Sequence, residues 1–296
     1  VLAQLAQGGY KVAGFDMYAV SSVLPGSGLS SSAACEVLLG TAGNHLFCGD
    51  VYDAVTIARI GQKAENIYFG KPSGLMDQTA SSVGDTVAID FENTEAPVVR
   101  PIEANLEGLG LALCIIDCGA DHAALTGEYA SIPQEMCQVA AYFGKKVLRE
   151  VKEADVLANL PALRQKVGDR AVLRALHFYA DDQRAVEEAD ALANGEKETF
   201  LNLVKESGRS SWELLQNITP AAAVAHQDMA IALTVAEKAL NGEGACRVHG
   251  GGFAGTIQAF VPLEKVSAFK KTVESMLGEG CCHVLSIRPA GGIVLE

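Results

Sequence analysis

The chain has 296 residues, 49% hydrophobic and 20% charged, a globular composition long enough to build two cores. Its 36 acidic residues against 23 basic ones give a formal charge of -13, a field that repels nucleic acid and anionic membrane surfaces and leaves a small molecule as the expected partner. No window approaches the roughly 18 uninterrupted apolar residues of a membrane span, and the eight cysteines (Cys35, Cys48, Cys114, Cys118, Cys137, Cys246, Cys281 and Cys282) are scattered without CxxC spacing, so reduced thiols in a cytoplasmic protein are expected rather than zinc or disulfides.

The opening "VLAQLAQGGYK" begins at Val1 already in helical rhythm and stops at Gly8 and Gly9. "KVAGFDMYAVSSVL" then reads as strand material and runs into "LPGSGLSSSAACEVLLG", residues 24–40, where Ala34, Val37, Leu38, Ala42 and Leu46 recur at helical spacing. The order is strand, glycine loop, and a helix starting near Ser30. A second helix is expected over 50–69, with Asp50 as N-cap and Gly70 and Pro72 as its stop, and a short helix from Ser73 toward Gly84. From Thr86 the texture changes to the strand-like runs "TVAIDF", "APVVRPI" and "LALCIIDC", which sets the expected domain boundary: 1–85 and 86–296. Amphipathic helices punctuated by glycine and proline fill 129–240, and "ACRVH", "TIQAFVPL" and "CHVLSIRP" are strands around a helix over 264–277. The fold class is α+β.

Three clusters carry chemistry. In the first, Gly26 and Gly28 let the backbone turn its amides inward, and the first-turn N–H groups at Ser30, Ser31 and Ser32 point the same way with the positive end of the helix dipole behind them, a geometry that binds phosphate. Taken alone, the segment also fits a plain serine-capped helix start; it is not a Walker loop, because GxxxxGK[ST] is absent. The second, "GGGFAGT" at 250–256, contains GxGxxG but leads into a strand, so the dinucleotide reading fails on context and a glycine loop between strands remains. The third, "AENIYFGKPSGLMDQ", sets Glu65 on the last turn of one helix and Asp77 on the first turn of the next, where a carboxylate can bind a metal, orient a hydroxyl or accept its proton, or simply sit solvated at a helix end.

Together these clusters resemble the GHMP kinase family, and within it the galactokinases. The family's PxGxGLSSSA is matched by "LPGSGLSSSA" with the proline one place later, its AExxxxGxxxGxxDQ by Ala64 to Gln78, its GGGFGG by "GGGFAG" with Ala254 in place of a glycine, and a tyrosine after an acidic residue by "HAALTGEYA". The resemblance implies a two-domain GHMP kinase fold, with a ribosomal protein S5 domain 2-like N-terminal domain and a ferredoxin-like C-terminal domain. It also implies roles: Gly26, Ser27, Gly28, Leu29, Ser30, Ser31 and Ser32 around the phosphates of ATP; Ser31 and Glu65 on Mg²⁺; Asp77 as general base or orienting carboxylate; and Gly74, Asp77 and Tyr129 on the sugar. The implied reaction moves the γ-phosphoryl group of ATP to the C1 hydroxyl of galactose. A related sugar (N-acetylgalactosamine or arabinose) and a non-catalytic sugar or nucleotide sensor are the alternatives. The GRxNLIGEHTDY-type motif with which galactokinases open is absent, and "ASIPQEM" lacks the arginine pair common after the tyrosine. A fragment with impaired activity is therefore expected.

Overall fold

Gly8 and Gly9 end the first helix, α1 (Leu2–Gln7), where their position predicts. The computed structural model describes residues 1–23, 29–70, 73–119 and 125–295. The chain divides into two compact units, Val1–Glu103 with Ile287–Glu296, and Ala104–Ser286.

In the first unit, the strand expected after α1 does not form: the described residues 10–23 adopt no regular element, and most are exposed. A strand requires a ladder partner, and the backbone bond here is a local one, Val12 N–H to Tyr10 C=O at 3.1 Å. Helix α2 (Ser31–Gly43) starts where the apolar spacing predicts and runs on through a π-helical turn, Asn44–Cys48, to Gly49 in the left-handed region. The helix expected over 50–69 begins later, as α3 (Ala54–Lys63). Its N-cap is Asp53, whose carboxylate accepts from Thr56 N–H at 2.8 Å. Asp50 sits instead at φ 59° and meets His45 Nδ1 at 2.9 Å. Helix α3 also continues as a π-helical turn, Ala64–Phe69, closing on Gly70 at φ 66°. Helix α4 (Met76–Val83) follows, and β1 (Thr86–Asp90) pairs antiparallel with β2 (Val98–Ile102).

The first unit thus continues past the change of texture at Thr86 and takes back the C-terminal tail. Gly292 N–H donates to Ser82 C=O at 3.1 Å, and Asp85 N–H to Arg288 C=O at 2.8 Å. Contact is so close at Gly291 that a Cβ would lie 1.9 Å from the Ser82 carbonyl oxygen.

The second unit is built on a four-stranded antiparallel sheet of β3 (Leu111–Asp117), β4 (Ala245–Val248), β5 (Thr256–Pro262) and β6 (Cys282–Leu285), in the order β4-β5-β3-β6. This is the ferredoxin-like βαββαβ order. Between β3 and β4 the chain inserts α5 (Thr126–Tyr142), α6 (Glu153–Ala158), α7 (Leu160–Val167), α8 (Asp169–Ala193), α9 (Lys197–Ser210) and α10 (Asp228–Leu240); between β5 and β6 it places α11 (Val266–Leu277). Ile116, Ile257, Ala259 and Val261 of the sheet pack with Met229, Leu233 and Ala236 of α10 and Phe269 and Val273 of α11. A separate helical core gathers Val139, Leu148, Val156, Leu163 and Val172. Trp212, in the π-helical turn that follows α9, is 44% exposed. No helix among the described residues is long and apolar enough to cross a membrane.

Candidate functional site

Gly26, Ser27 and Gly28 of the expected phosphate loop lie outside the described residues; Leu29 and the three serines lie within them. Ser30 precedes α2 at φ 57°, ψ 50°, a left-handed conformation that costs a non-glycine residue free energy. Its first consequence is that no side chain among the described residues caps α2, whose first intrahelical bond is Ala34 N–H to Ser30 C=O at 3.1 Å. The N–H groups of the first turn at Ser31 and Ser32 are left at the positive end of the dipole, the arrangement that attracts an anion. Its second consequence is the direction of the Ser30 hydroxyl, which donates to Asp77 Oδ2 at 2.6 Å. Two motifs separated in the chain by 47 residues are thereby joined side chain to side chain.

Asp77 lies in the first turn of α4 and is exposed, with Gln78 beside it fully inside. The Gln78 amide explains how the carboxylates behind the site are held: its Nε2 donates to Glu36 Oε2 of α2 at 3.0 Å and to Glu65 Oε2 at 3.4 Å. Glu65 is only 5% exposed. Gly61 of α3 faces this bridge, and a Cβ there would lie 3.1 Å from Glu36 Oε2 and 3.4 Å from Gln78 Cγ. One turn away, the crossing that carries Gly74 is stapled to the end of α3. Ser73 N–H donates to Asn66 Oδ1 at 2.8 Å, and the Ser73 carbonyl accepts from Gln62 Nε2 at 3.1 Å. The hydrogen bonds thus link two sets of oxygen atoms: the Ser30 hydroxyl with the Asp77 carboxylate, and the carboxylates of Glu36 and Glu65 through Gln78. No group of three or more His, Cys, Asp or Glu among the described residues could hold a metal by itself.

Tyr129 belongs to the second unit, on the first turn of α5. Its hydroxyl donates to Gly252 C=O in the late glycine loop at 2.8 Å, its ring meets Phe253 edge to face with centroids 5.6 Å apart, and burial holds its phenol above the ordinary value. The structure thus brings the tyrosine and the glycine loop together, as it brings together Ser30 and Asp77. Sequence reasoning gave no role to Glu36, Gln62, Asn66 or Gln78, which fix the first cluster. The available signal was position alone: Gln62, Asn66 and Gln78 lie in or beside the stretch 64–78, and Glu36 lies one helical turn beyond Ser32.

The model of the GHMP kinases N terminal domain matches residues 1–85. A galactokinase of Streptomyces coelicolor is 32% identical over 276 residues, covering 93% of this chain and 68% of the relative. A galactokinase of Actinobacillus pleuropneumoniae is 33% identical over 267 residues, covering 88% of this chain and 65% of the relative. The crystal structure of Lactococcus lactis galactokinase complexed with galactose shares the fold with a TM-score of 0.73 at 24% identity, over 98% of this chain and 74% of that one. The chain spans about two thirds of the length of these curated relatives. It belongs to the GHMP kinase family and, within that family, to the galactokinases.

Proposed function

We propose that this chain is an ATP-dependent sugar 1-kinase acting on galactose, in the cytoplasm, where its eight unpaired thiols suit a reducing environment. The observation that carries the reading is the 2.6 Å bond between Ser30 Oγ and Asp77 Oδ2, which sets the acid beside the helix head suited to phosphate. In the reaction, the sugar C1 oxygen forms a bond to the γ-phosphorus as the bond from that phosphorus to the β,γ-bridging oxygen breaks, and ADP departs with that electron pair. Asp77 orients the C1 hydroxyl and accepts its proton; the loop with Gly26, Ser27 and Gly28, together with Leu29 and the amides at Ser30, Ser31 and Ser32, cradles the phosphates. Such transfer asks mainly for positioning and charge neutralisation.

Mg²⁺ characteristically relies on one or two carboxylates plus nucleotide phosphates rather than on a full protein cage, and the oxygen-only donor set around Gln78 fits it. Ser31 and Glu65 would hold the ion, with Glu65 fixed by the Gln78 amide. When bound, Mg²⁺ supplies neutralisation of charge on the phosphate oxygens. Gly74 and Tyr129 are proposed as sugar contacts on motif likeness. The test is turnover with ATP, Mg²⁺ and a panel of galactose, N-acetylgalactosamine and arabinose, with the product identified by phosphorus NMR. Galactose 1-phosphate is expected. Preference for another sugar changes the substrate, and saturable sugar binding without phosphorylation would replace the kinase with a sensor.

A further inference from the structure

Asn217 has only 2% of its surface exposed, and it lies just beyond the π-helical turn Ser211–Leu215 that ends α9. From there it holds the glycine loop at two points. Its backbone carbonyl accepts from Phe253 N–H at 2.5 Å, and its Nδ2 donates to Gly251 C=O at 3.2 Å. Between those points Gly252 passes so close that a Cβ would lie 2.1 Å from the Asn217 carbonyl oxygen and 2.6 Å from its Nδ2. Phe253 is kept at φ 60°, a conformation that a bulky residue adopts only when its surroundings impose it. The Gly252 carbonyl receives the Tyr129 hydroxyl, and the Phe253 ring receives the Tyr129 ring.

The other side of Asn217 is anchored as well. Arg174 of α8, fully buried, donates Nε to Leu215 C=O at 3.0 Å and Nη1 to Ser131 Oγ at 2.8 Å and Glu135 Oε2 at 3.0 Å. Ser131 and Glu135 lie on α5, the helix that carries Tyr129. The bonds form a closed ring: Tyr129 to the glycine loop, the loop to Asn217, the chain back to Leu215, Leu215 to Arg174, and Arg174 to α5.

We infer that Asn217 is a positioning residue that sets the glycine loop and, through it, the seat of the Tyr129 ring and hydroxyl. For the part that concerns sugar, this rests on the proposed contact between Tyr129 and substrate. Asn217 touches no substrate itself. Its amide removes the freedom of the loop to shift by the fraction of an ångström that separates a productive wall from a loose one, and misplacement of about 1 Å at a distance from the chemistry is worth up to about 100-fold in rate.

Two measurements on the full chain test it. Hydrogen exchange of the segment 249–255 in Asn217→Ala is expected to accelerate at least tenfold relative to the unsubstituted chain, with the β3 and β5 strand amides unchanged; equal exchange in the two proteins overturns the clamp. This arm requires no turnover and uses no sugar. In steady-state kinetics, Asn217→Ala should raise the galactose KM and lower kcat/KM for galactose about ten- to 100-fold while the ATP KM stays within about twofold. Loss of active protein alone would lower kcat and leave both KM values in place, which would overturn the positioning role. A double-mutant cycle with Tyr129→Phe should give a combined loss smaller than the product of the single losses, and independent losses would contradict coupling through Tyr129. If Asn217→Ala does not fold, Asn217→Ser replaces it in both measurements. If the unsubstituted chain does not phosphorylate galactose, the proposed function and the sugar part of this inference fail together, while the exchange result still decides the clamp.

Discussion

Arg174→Met removes the guanidinium that holds α5, α8 and the end of the π-helical turn together, and its cost follows from the geometry. Three hydrogen bonds disappear: to Leu215 C=O, Ser131 Oγ and Glu135 Oε2. Breaking a buried pair from one side costs about 3–5 kcal/mol. The lower end applies for two reasons. Glu135 keeps a second partner, with Arg170 Nη2 at 2.5 Å from its Oε1, and Arg174 Nη2 has no partner among the described residues, so its removal relieves a desolvation penalty already present. Burial pulls the Arg174 guanidinium below its ordinary value against the opposing pull of Glu135, in keeping with a group that has left water. A loss of about 3 kcal/mol in a unit of this size corresponds to a Tm lower by about 6–12 °C. Arg170, whose side chain is 40% exposed, makes a surface-type pair, and Arg170→Met should cost about 1 kcal/mol or less. Urea titrations followed by far-UV circular dichroism and thermal melts of the two variants give the comparison. Equal losses, or an unchanged midpoint for Arg174→Met, would refute the assignment of the stability to the buried cation.

Glu188 gives a pH signature. Burial pushes its carboxyl up to about 7, with Arg247 pulling it down, Asp181 pushing it up and Arg184 pulling it down. The folded chain then holds this proton more tightly than the unfolded chain, so the contribution is present below the ordinary glutamate range and is lost as pH rises toward 7. Glu188→Gln should therefore gain Tm relative to the unsubstituted chain between pH 5 and pH 7.5, and a difference independent of pH would contradict the burial argument. At the returning tail, Gly291→Ala would set a Cβ against the Ser82 carbonyl oxygen, so limited proteolysis should cut 287–295 several times faster than in the unsubstituted chain; equal cutting would show that the tail is not held there.

The sequence made the helices α1, α2, α4 and α11 legible through apolar spacing or a glycine stop, and the strands β1 to β6 through their short apolar runs. It did not show which of two nearby aspartates caps α3. Asp50 and Asp53 both precede the periodic residues, and only the carboxylate of Asp53 reaches a first-turn amide, that of Thr56. Nor did it show that 11–23 would lack a ladder, or that the tail from Ile287 would rejoin the first unit, because both depend on partners distant in sequence. The π-helical turns that end α2, α3 and α9 have no periodicity of their own to read.

In the first unit, Ser30, Glu65 and Asp77 were singled out as candidates by the spacing of known motifs, as was Tyr129 in the second unit. Gln78, Asn66 and Asn217 were not, because a neutral amide gives no charge pattern or period, and its work becomes visible only when its partners are in place. The charge balance pointed away from polyanions in general, whereas the head of α2 with its uncapped amides offers a local exception to the global field of -13.

The measurement that bears most directly on the central claim is γ-phosphoryl transfer by Asp77→Asn, a substitution that preserves shape and leaves the Ser30 hydroxyl an acceptor. Pre-steady-state transfer to galactose should fall about 10²- to 10⁴-fold, while nucleotide affinity at the head of α2, read by equilibrium binding, stays within about threefold. Transfer at the unsubstituted rate would contradict the account.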